Sequence, residues 1–155
     1  MRLGCGVANI CDYLENGINV SLGTDGQGSG SNLDLFETMK FTGLLQKGIK
    51  EDAKILPAYE VIKMATINGA KSLKIEDKTG SIEEGKKADI IILDLEDVCT
   101  QPINDVFSNI VYNAKGSNVI TTIVNGKILM NNRELESKVD REIFKKCKNT
   151  MDRIS

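Results

Sequence analysis

The sequence predicts an α/β fold in which helices and one short strand precede a small β unit. Apolar residues recur with helical spacing in the first half of the chain. The segment 18–24, INVSLGT, reads as a short strand between two of these helices, and Asn125-Gly126 is the strongest two-residue hairpin signal. The order helix, strand, helix, helix fits an α/β layer better than a helical bundle.

The first two predicted helices flank the strand 18–24. One buried face of the first helix is predicted by the i, i+3, i+4, i+7 spacing of Val7, Ile10, Cys11 and Leu14. Asn16-Gly17 should end this helix, since both residues tolerate a left-handed cap. Ser31 and Asp34 have the spacing of a capping box, so the second helix should begin there and run to about Lys47, with Gly48 ending it.

Pro57 suits the first turn of a third helix. Its predicted buried face consists of Ile62, Ala65, Thr66, Gly69 and Leu73, and the small residues in that face predict close packing against another element. A boundary near Thr79 separates these helices from the β unit.

The β unit should contain two strand pairs and be followed by a helix. The first pair is predicted at 80–83 and 88–95, and the second is the hairpin 118–124 and 127–130 around Asn125-Gly126. A terminal helix is predicted after these strands, with one apolar side formed by Val139, Ile143, Cys147, Met151 and Ile154.

Composition excludes several classes of function. Lys and Arg total 20 against 22 Asp and Glu among 155 residues, and aromatic residues make up 5%, so a nucleic-acid surface is not expected. The longest apolar run, Ile90 to Leu93, is too short to cross a bilayer, and no signal-peptide core follows Met1. The sequence therefore predicts a cytoplasmic protein without a membrane span.

Cysteine and histidine limit the possible metal chemistry. The four cysteines form no C-x-x-C pair, and we expect reduced, mostly buried thiols. The count of histidines is zero, which excludes a histidine-dependent triad in this chain. A zinc site built from this chain alone would need Cys, Asp and Glu ligands.

Asp25 is the strongest candidate for chemistry. It stands at the carboxyl end of the predicted strand 18–24 and before a glycine-rich turn, the position where α/β barrels place catalytic groups. It could bind a metal or accept a proton from an activated water. Alternatively, it could cap its own turn by bonding the next backbone amides. Position alone favours this second interpretation.

The glycine-rich turn also has two interpretations. It connects a strand to a helix, as phosphate-binding loops do. However, Gly26, Gly28 and Gly30 give G-x-G-x-G rather than G-x-G-x-x-G, and no Gly-Lys-Ser/Thr follows. A flexible turn is therefore favoured over a nucleotide loop.

Four segments, in consistent order over about residues 3–135, carry a resemblance to a known family. They are VSLGTDGQGSGSNLDLFETMKFTGLLQKG (20–48), MATINGAKSL (64–73), GSIEEGKKADIIILDL (80–95) and VITTIVNGKILM (119–130). The chain resembles metal-dependent amidohydrolases, and the LDLFETM and LLQK elements resemble the methylthioadenosine/S-adenosylhomocysteine deaminases and their chlorohydrolase relatives.

The resemblance implies a carboxy-terminal portion of a (β/α)8 TIM barrel with an attached β-sandwich. On this basis residues 1–79 would be the end of the barrel, 80–135 part of the sandwich, and 136–155 a terminal helix. The segment 18–24 would be the eighth barrel strand. Asp25 would be the aspartate that lies at the metal and shuttles protons, and Ser29 would line the substrate pocket.

The chain departs from the family pattern in a way that bears on activity. The family's His-x-His pair, further histidines and acid/base glutamate have no counterpart here. The Ser-Asn-Asn triplet common after the GTDG turn reads Ser29-Gly30-Ser31-Asn32. We therefore expect a fragment, a truncated product or one part of a protein completed by another chain. Zinc or another divalent metal belongs to the complete enzyme, with none expected in this chain.

The leading functional hypothesis is zinc-dependent hydrolytic deamination of an adenosine derivative, a purine nucleoside, by the complete enzyme. The isolated chain should be inactive and should self-associate, as a homo-oligomer, through exposed strand edges. Guanine deamination and triazine dechlorination are alternatives within the family. A non-catalytic association module and a nucleotide-binding module are alternatives from other classes.

Overall fold

The computed structural model describes residues 4–30, 32–136, 146, 147, 149 and 150. The helices are α1 (Ile10–Glu15), α2 (Gln27–Gly30), α3 (Leu35–Lys50), α4 (Ala58–Ala65), α5 (Ile67–Ser72) and α6 (Val106–Tyr112), followed by a 3-10 turn at Gly116–Asn118. The strands are β1 (Ile90–Leu93), β2 (Val119–Val124), β3 (Lys127–Asn131) and β4 (Glu134–Leu135). The predicted α/β class is confirmed, and the predicted helix 136–155 lies almost entirely outside the described residues.

Helix α1 begins at Ile10, later than the apolar spacing predicts. Val7 lies before the helix and is exposed, so its place on the buried face was wrong, whereas Ile10 is buried. The predicted end is confirmed, with Asn16 as the C-cap and Gly17 at φ 72°. Gly17 can adopt this left-handed conformation without a Cβ clash.

Helix α3 begins and ends at other residues than the sequence predicts. Asp34 is the N-cap, and its carboxylate accepts a hydrogen bond from Phe36 N. The predicted capping box began at Ser31, which lies outside the described residues. The helix continues through Gly48 to Lys50, and Glu51 at φ 53° ends it. Lys47 Nζ donates to the carbonyls of Ala53 and Ile55 beyond the helix, each at 2.6 Å. These contacts offset the weak helix preference of Gly48.

The third predicted helix is two helices, because the backbone breaks at Thr66 (φ −129°, ψ −97°). The predicted buried face was only partly correct: Ile62 and Ala65 are half-buried against the core, whereas Thr66 is exposed and Leu73 is 72% exposed. The most deeply buried side chains of α4 are Val61 and Met64, each one position away from that face. The predicted face is displaced by one residue because helical periodicity alone does not fix which side of a helix packs against another element.

Helices α3, α4 and α6 enclose the core. Its buried members are Ile10, Phe36, Met39, Leu56, Ala58, Val61, Met64, Val111 and Ala114. Helix α6, which the sequence analysis did not predict, contributes Val111, whose side chain is fully buried. Residues on both sides of Thr79 therefore share one apolar core.

The sheet is antiparallel with strand order β1-β2-β3-β4. The hairpin prediction is confirmed: Val124 pairs with Lys127 across Asn125 (φ 50°) and Gly126 (φ 77°). Positive φ at both central residues is what a type I′ turn requires.

The predicted first strand pair is only partly correct. Within 88–95 only Ile90–Leu93 forms a strand, and 80–83 forms none. Two residues of this segment instead bond to Lys86, whose Nζ donates to Ser81 Oγ at 2.6 Å and to Glu83 Oε1 at 3.1 Å. Side-chain bonding within a turn replaces ladder pairing there.

The cysteine environment differs from the prediction. Cys5, Cys99 and Cys147 are exposed and Cys11 is half-buried, so the expectation of mostly buried thiols was wrong. Cys5 and Cys99 lie in segments without helix or strand, which run over the surface.

Among the described residues, no helix combines the length and apolar character that a membrane-spanning helix needs.

Candidate active site

The segment 18–24 delivers Asp25 to the surface of the molecule. The predicted strand does not form here, because a strand is defined by its pairing and no β-ladder forms along this segment within the described part of the chain. Polar contacts to the α4–α5 region hold the segment instead. Leu22 N donates to Met64 O at 3.0 Å, and Asn68 Nδ2 donates to Val20 O at 3.1 Å.

Asp25 adopts a left-handed conformation, φ 61°, which is uncommon outside glycine, asparagine and aspartate. Its Oδ1 accepts the backbone N–H of Gly26 at 2.6 Å, which is the turn-capping bond of the second interpretation. Oδ2 accepts no hydrogen bond from the residues that the structure describes, and the side chain is exposed. The carboxylate is thus oriented by one oxygen and retains a second oxygen for a ligand or a proton.

The glycine-rich turn folds into the short helix α2. Ser29 N and Gly30 N both donate to Gly26 O, at 3.0 and 2.8 Å. Since these amides and that of Gly26 already bond within the turn, they do not form the outward-facing cradle of a phosphate loop. This finding argues against the nucleotide-binding alternative.

Gly30 has a specific steric reason to be glycine. A Cβ at this position would lie 2.4 Å from the carbonyl oxygen of Thr24, whereas a Cβ at Gly28 would meet nothing within 4 Å. The turn therefore closes on the residue that precedes Asp25.

Asp25 and Ser29 line one open cleft of about 650 Å³. Its other walls are the segment before α1, including Cys5 and Val7, and one side of α3. The α3 side is both apolar and polar, with Phe41 beside Thr38. The structure therefore brings together the two site residues predicted from the sequence.

The described residues contain no group of three or more His, Cys, Asp or Glu side chains that could hold a metal ion. Structural and catalytic zinc sites use three or four protein ligands. Asp25 by itself does not fit a complete metal site, and further ligands would have to come from outside the described residues.

Sequence reasoning missed three polar residues that shape this site. Asn68 is buried against the segment that carries Asp25, and Gln46 is buried beside the segment before α1. Asn32 follows the glycine turn, where its Nδ2 donates to Glu37 Oε2 at 2.5 Å and its Oδ1 accepts from Asp34 N at 3.0 Å. Asn68 lies within MATINGAKSL and Gln46 within LLQK. The family resemblance of these two segments was the signal that could have identified both residues.

Comparison with known proteins identifies the class of protein. The model of the amidohydrolase family matches residues 1–129, and the chain belongs to this family. The resemblance seen in the sequence is thereby confirmed.

Two curated relatives are named as deaminases of adenosine derivatives. The chain is 45% identical over 145 residues to a 5-methylthioadenosine/S-adenosylhomocysteine deaminase of Acetivibrio thermocellus, covering 94% of this chain and 33% of that protein. It is 50% identical over 132 residues to a 5'-deoxyadenosine deaminase of Methanosarcina acetivorans, covering 85% of this chain and 30% of that protein. The chain thus spans about a third of the length of these relatives.

Solved structures agree in fold. An adenosine deaminase of Xanthomonas campestris with bound zinc superposes with a TM-score of 0.92 at 33% identity, covering 98% of this chain and 35% of that one. An atrazine chlorohydrolase of Arthrobacter aurescens TC1 complexed with zinc gives a TM-score of 0.83 at 28% identity, covering 96% and 33%.

Proposed function

We propose that this chain supplies the acid/base carboxylate of an enzyme that hydrolytically deaminates an adenosine derivative. The substrate class is a purine nucleoside such as methylthioadenosine, S-adenosylhomocysteine or 5'-deoxyadenosine. Curated relatives at 45% and 50% identity carry names of this kind, whereas the chlorohydrolase structure is 28% identical. This difference favours deamination over dechlorination.

The observation that carries the proposal is the placement of Asp25. Its carboxylate is exposed at the cleft, with Oδ1 fixed by Gly26 N and Oδ2 without a partner among the described residues. In the proposed reaction, the oxygen of water bonds to the purine carbon that bears the amino group, and the carbon–nitrogen bond then breaks. Asp25 accepts one proton of that water and passes it to the departing nitrogen, which leaves as ammonia, while the second proton stays on the purine product as a ring N–H.

Asp25 is also proposed as one ligand of a divalent metal in the complete enzyme, and zinc in the adenosine deaminase and chlorohydrolase structures supports this. The other ligands would be contributed by residues outside this chain, which has no histidine. Ser29, half-buried on the same cleft, is proposed to contact the substrate.

The proposed architecture follows the resemblance. Residues 1–79 would form the carboxy-terminal end of a (β/α)8 barrel, 80–135 part of a β-sandwich, and 136–155 a terminal helix. In such a barrel, the segment 18–24 would gain ladder partners that the described residues do not supply. The similarity to about a third of each relative supports this arrangement.

The test compares Asp25→Asn with Asp52→Asn in the complete protein. Asp52 is a matched control because its carboxylate also caps its own turn, accepting Lys54 N at 2.8 Å. With zinc and each of the three nucleosides, Asp25→Asn should reduce ammonia release by about 10²–10⁴-fold, the usual contribution of a positioned general base. Asp52→Asn should leave it unchanged.

Two results would refute the proposal. Full activity of Asp25→Asn would show that Asp25 is not the general base. If the unmodified complete protein released no ammonia from any of the three nucleosides, the proposed deaminase function would be refuted. The 155-residue chain assayed alone should release no ammonia, since one carboxylate does not complete the site.

Self-association of the isolated chain is a further part of the proposal. Large apolar side chains such as Phe41, Leu73 and Ile82 are 54%, 72% and 83% exposed. Burial of such surface favours association. Sedimentation of the isolated chain should show species larger than a monomer, and a monomer at all concentrations would contradict this.

A further inference from the structure

Gln46 is a buried polar residue on α3, only 2% exposed. Burial of an amide is unfavourable unless both of its polar groups are bonded. Both are bonded here, and to a single segment: Oε1 accepts Ile10 N at 3.1 Å, and Nε2 donates to Ala8 O at 2.8 Å.

The two backbone groups that Gln46 binds already face each other. Ile10 N also donates to Ala8 O at 3.1 Å, and Asn9 between them has φ −84° and ψ 76°. This geometry is an inverse γ-turn. Gln46 therefore closes a second ring on the same donor and acceptor and fixes the turn against α3.

This turn controls the direction of the chain on both sides. Helix α1 begins immediately after it, at Ile10, and residues 5–8 before it form one wall of the cleft that contains Asp25. The neighbouring ion pair, Lys50 Nζ to Asp12 Oδ1 at 2.9 Å, is partly exposed at both partners. Exposed pairs of this kind contribute little, and the bond from Asn9 Nδ2 to Asp12 Oδ2 is exposed as well. Among the described residues, Gln46 is therefore the buried polar side chain that anchors the turn.

We propose that Gln46 is a positioning residue for the substrate, acting through residues 5–8. This inference rests on the proposed function and extends it to a residue that borders the cleft with both of its amide groups bonded to the turn. Loss of the clamp releases the wall that faces Asp25 without altering the carboxylate. The expected consequence is weaker substrate binding with nearly unchanged chemistry, a pattern that a residue needed only for folding would not produce.

The experiment uses Gln46→Met in the complete protein, with Gln46→Glu as a second variant. Methionine fills a similar volume but removes both bonds, whereas glutamate retains an acceptor for Ile10 N and loses the donor to Ala8 O. Gln101→Met is the matched control, because Gln101 Nε2 donates to Leu95 O at 3.0 Å away from the cleft. For methylthioadenosine, Gln46→Met should raise KM about tenfold, the scale of one or two lost hydrogen bonds. Its kcat should stay within about threefold of the unmodified enzyme. Gln46→Glu should also raise KM, because a buried carboxylate oxygen would face Ala8 O in place of the donor. Gln101→Met should leave KM unchanged.

Hydrogen exchange at the Ile10 amide provides a readout that needs no substrate. Exchange should accelerate in Gln46→Met and remain unchanged in Gln101→Met. If the unmodified enzyme deaminates none of the nucleosides, the proposed function fails, and the exchange result still decides whether the clamp exists. Unchanged exchange at Ile10 would overturn the clamp. Accelerated exchange with unchanged KM in an active enzyme would overturn the positioning role.

Discussion

The carboxylate of Asp34 joins the start of α3 to the backbone of Gly116, 82 positions further along the chain. Its Oδ1 accepts Phe36 N at 2.8 Å and its Oδ2 accepts Gly116 N at 2.9 Å. One side chain thus caps the helix that borders the cleft and fastens it to the turn that leads into β2.

The two bonds of Asp34 can be separated by substitution. Asp34→Ala loses both bonds, and loss of an N-cap alone costs about 0.5–2 kcal/mol. Asp34→Ser retains a capping oxygen for Phe36 N but no second oxygen for Gly116. Urea unfolding should therefore show a lower free energy of unfolding for both, with Asp34→Ser the milder. Equal losses would mean that the capping bond to Phe36 contributes nothing, and no loss in Asp34→Ser would mean that the bond to Gly116 contributes nothing.

Gly30→Ala should disturb the turn that carries Asp25 and Ser29. The new Cβ would lie 2.4 Å from Thr24 O, so the backbone must shift. Because the general base is then misplaced, activity of the complete enzyme should fall by about 10²-fold. Gly28→Ala is the control, since its Cβ meets nothing within 4 Å. Comparable kcat/KM in both variants would contradict the steric argument.

Asn68→Leu should loosen the segment that delivers Asp25. The substitution leaves Val20 O without its donor in a part-buried position, which costs about 1–3 kcal/mol. Asn16→Ala is the control, because its bond to Asp12 O at 2.8 Å is exposed and local. Thermal unfolding should show a clearly larger loss of stability for Asn68→Leu. A loss no larger than that of the control would show that the bond to Val20 is dispensable.

Asp89 should make the sheet sensitive to acid. Its pKa is lowered from the ordinary value of 3.8, chiefly by the N–H of Asn125 and then by the Thr79 hydroxyl. A pKa that is lower in the folded state stabilises the fold above 3.8, and this stabilisation is lost as pH falls through the folded-state pKa.

Asp89→Asn tests this relationship without removing the contacts. The amide can accept from Asn125 N and donate to Thr79 Oγ1, but it does not titrate over this range. The decrease in the free energy of unfolding between neutral pH and pH below 3.8 should be smaller in Asp89→Asn. Identical pH profiles would contradict the assignment. Asp94, whose pKa is also lowered, chiefly by the N–H of Glu96, should retain its own acid dependence in both proteins.

Local turn chemistry was readable from the sequence. Asn125-Gly126 predicted the hairpin, and Asn16-Gly17 predicted the end of α1, because these residues tolerate positive φ whatever surrounds them. Asp25 and Ser29 were also found from the sequence, and the structure places them on one cleft. Their chemical roles rest on the family resemblance and stay predictions.

The sequence by itself determined the family, the α/β class and the segments where turns form, since these depend on residue type and short spacing. The tertiary structure decided which helix face is buried, that α3 passes Gly48, and that Thr66 divides α4 from α5. It also decided the partners of Gln46 and Asn68, which are 36 and 48 positions away in the chain. No local pattern encodes these contacts, because a buried amide bonds whichever backbone groups the packing of distant segments leaves within reach.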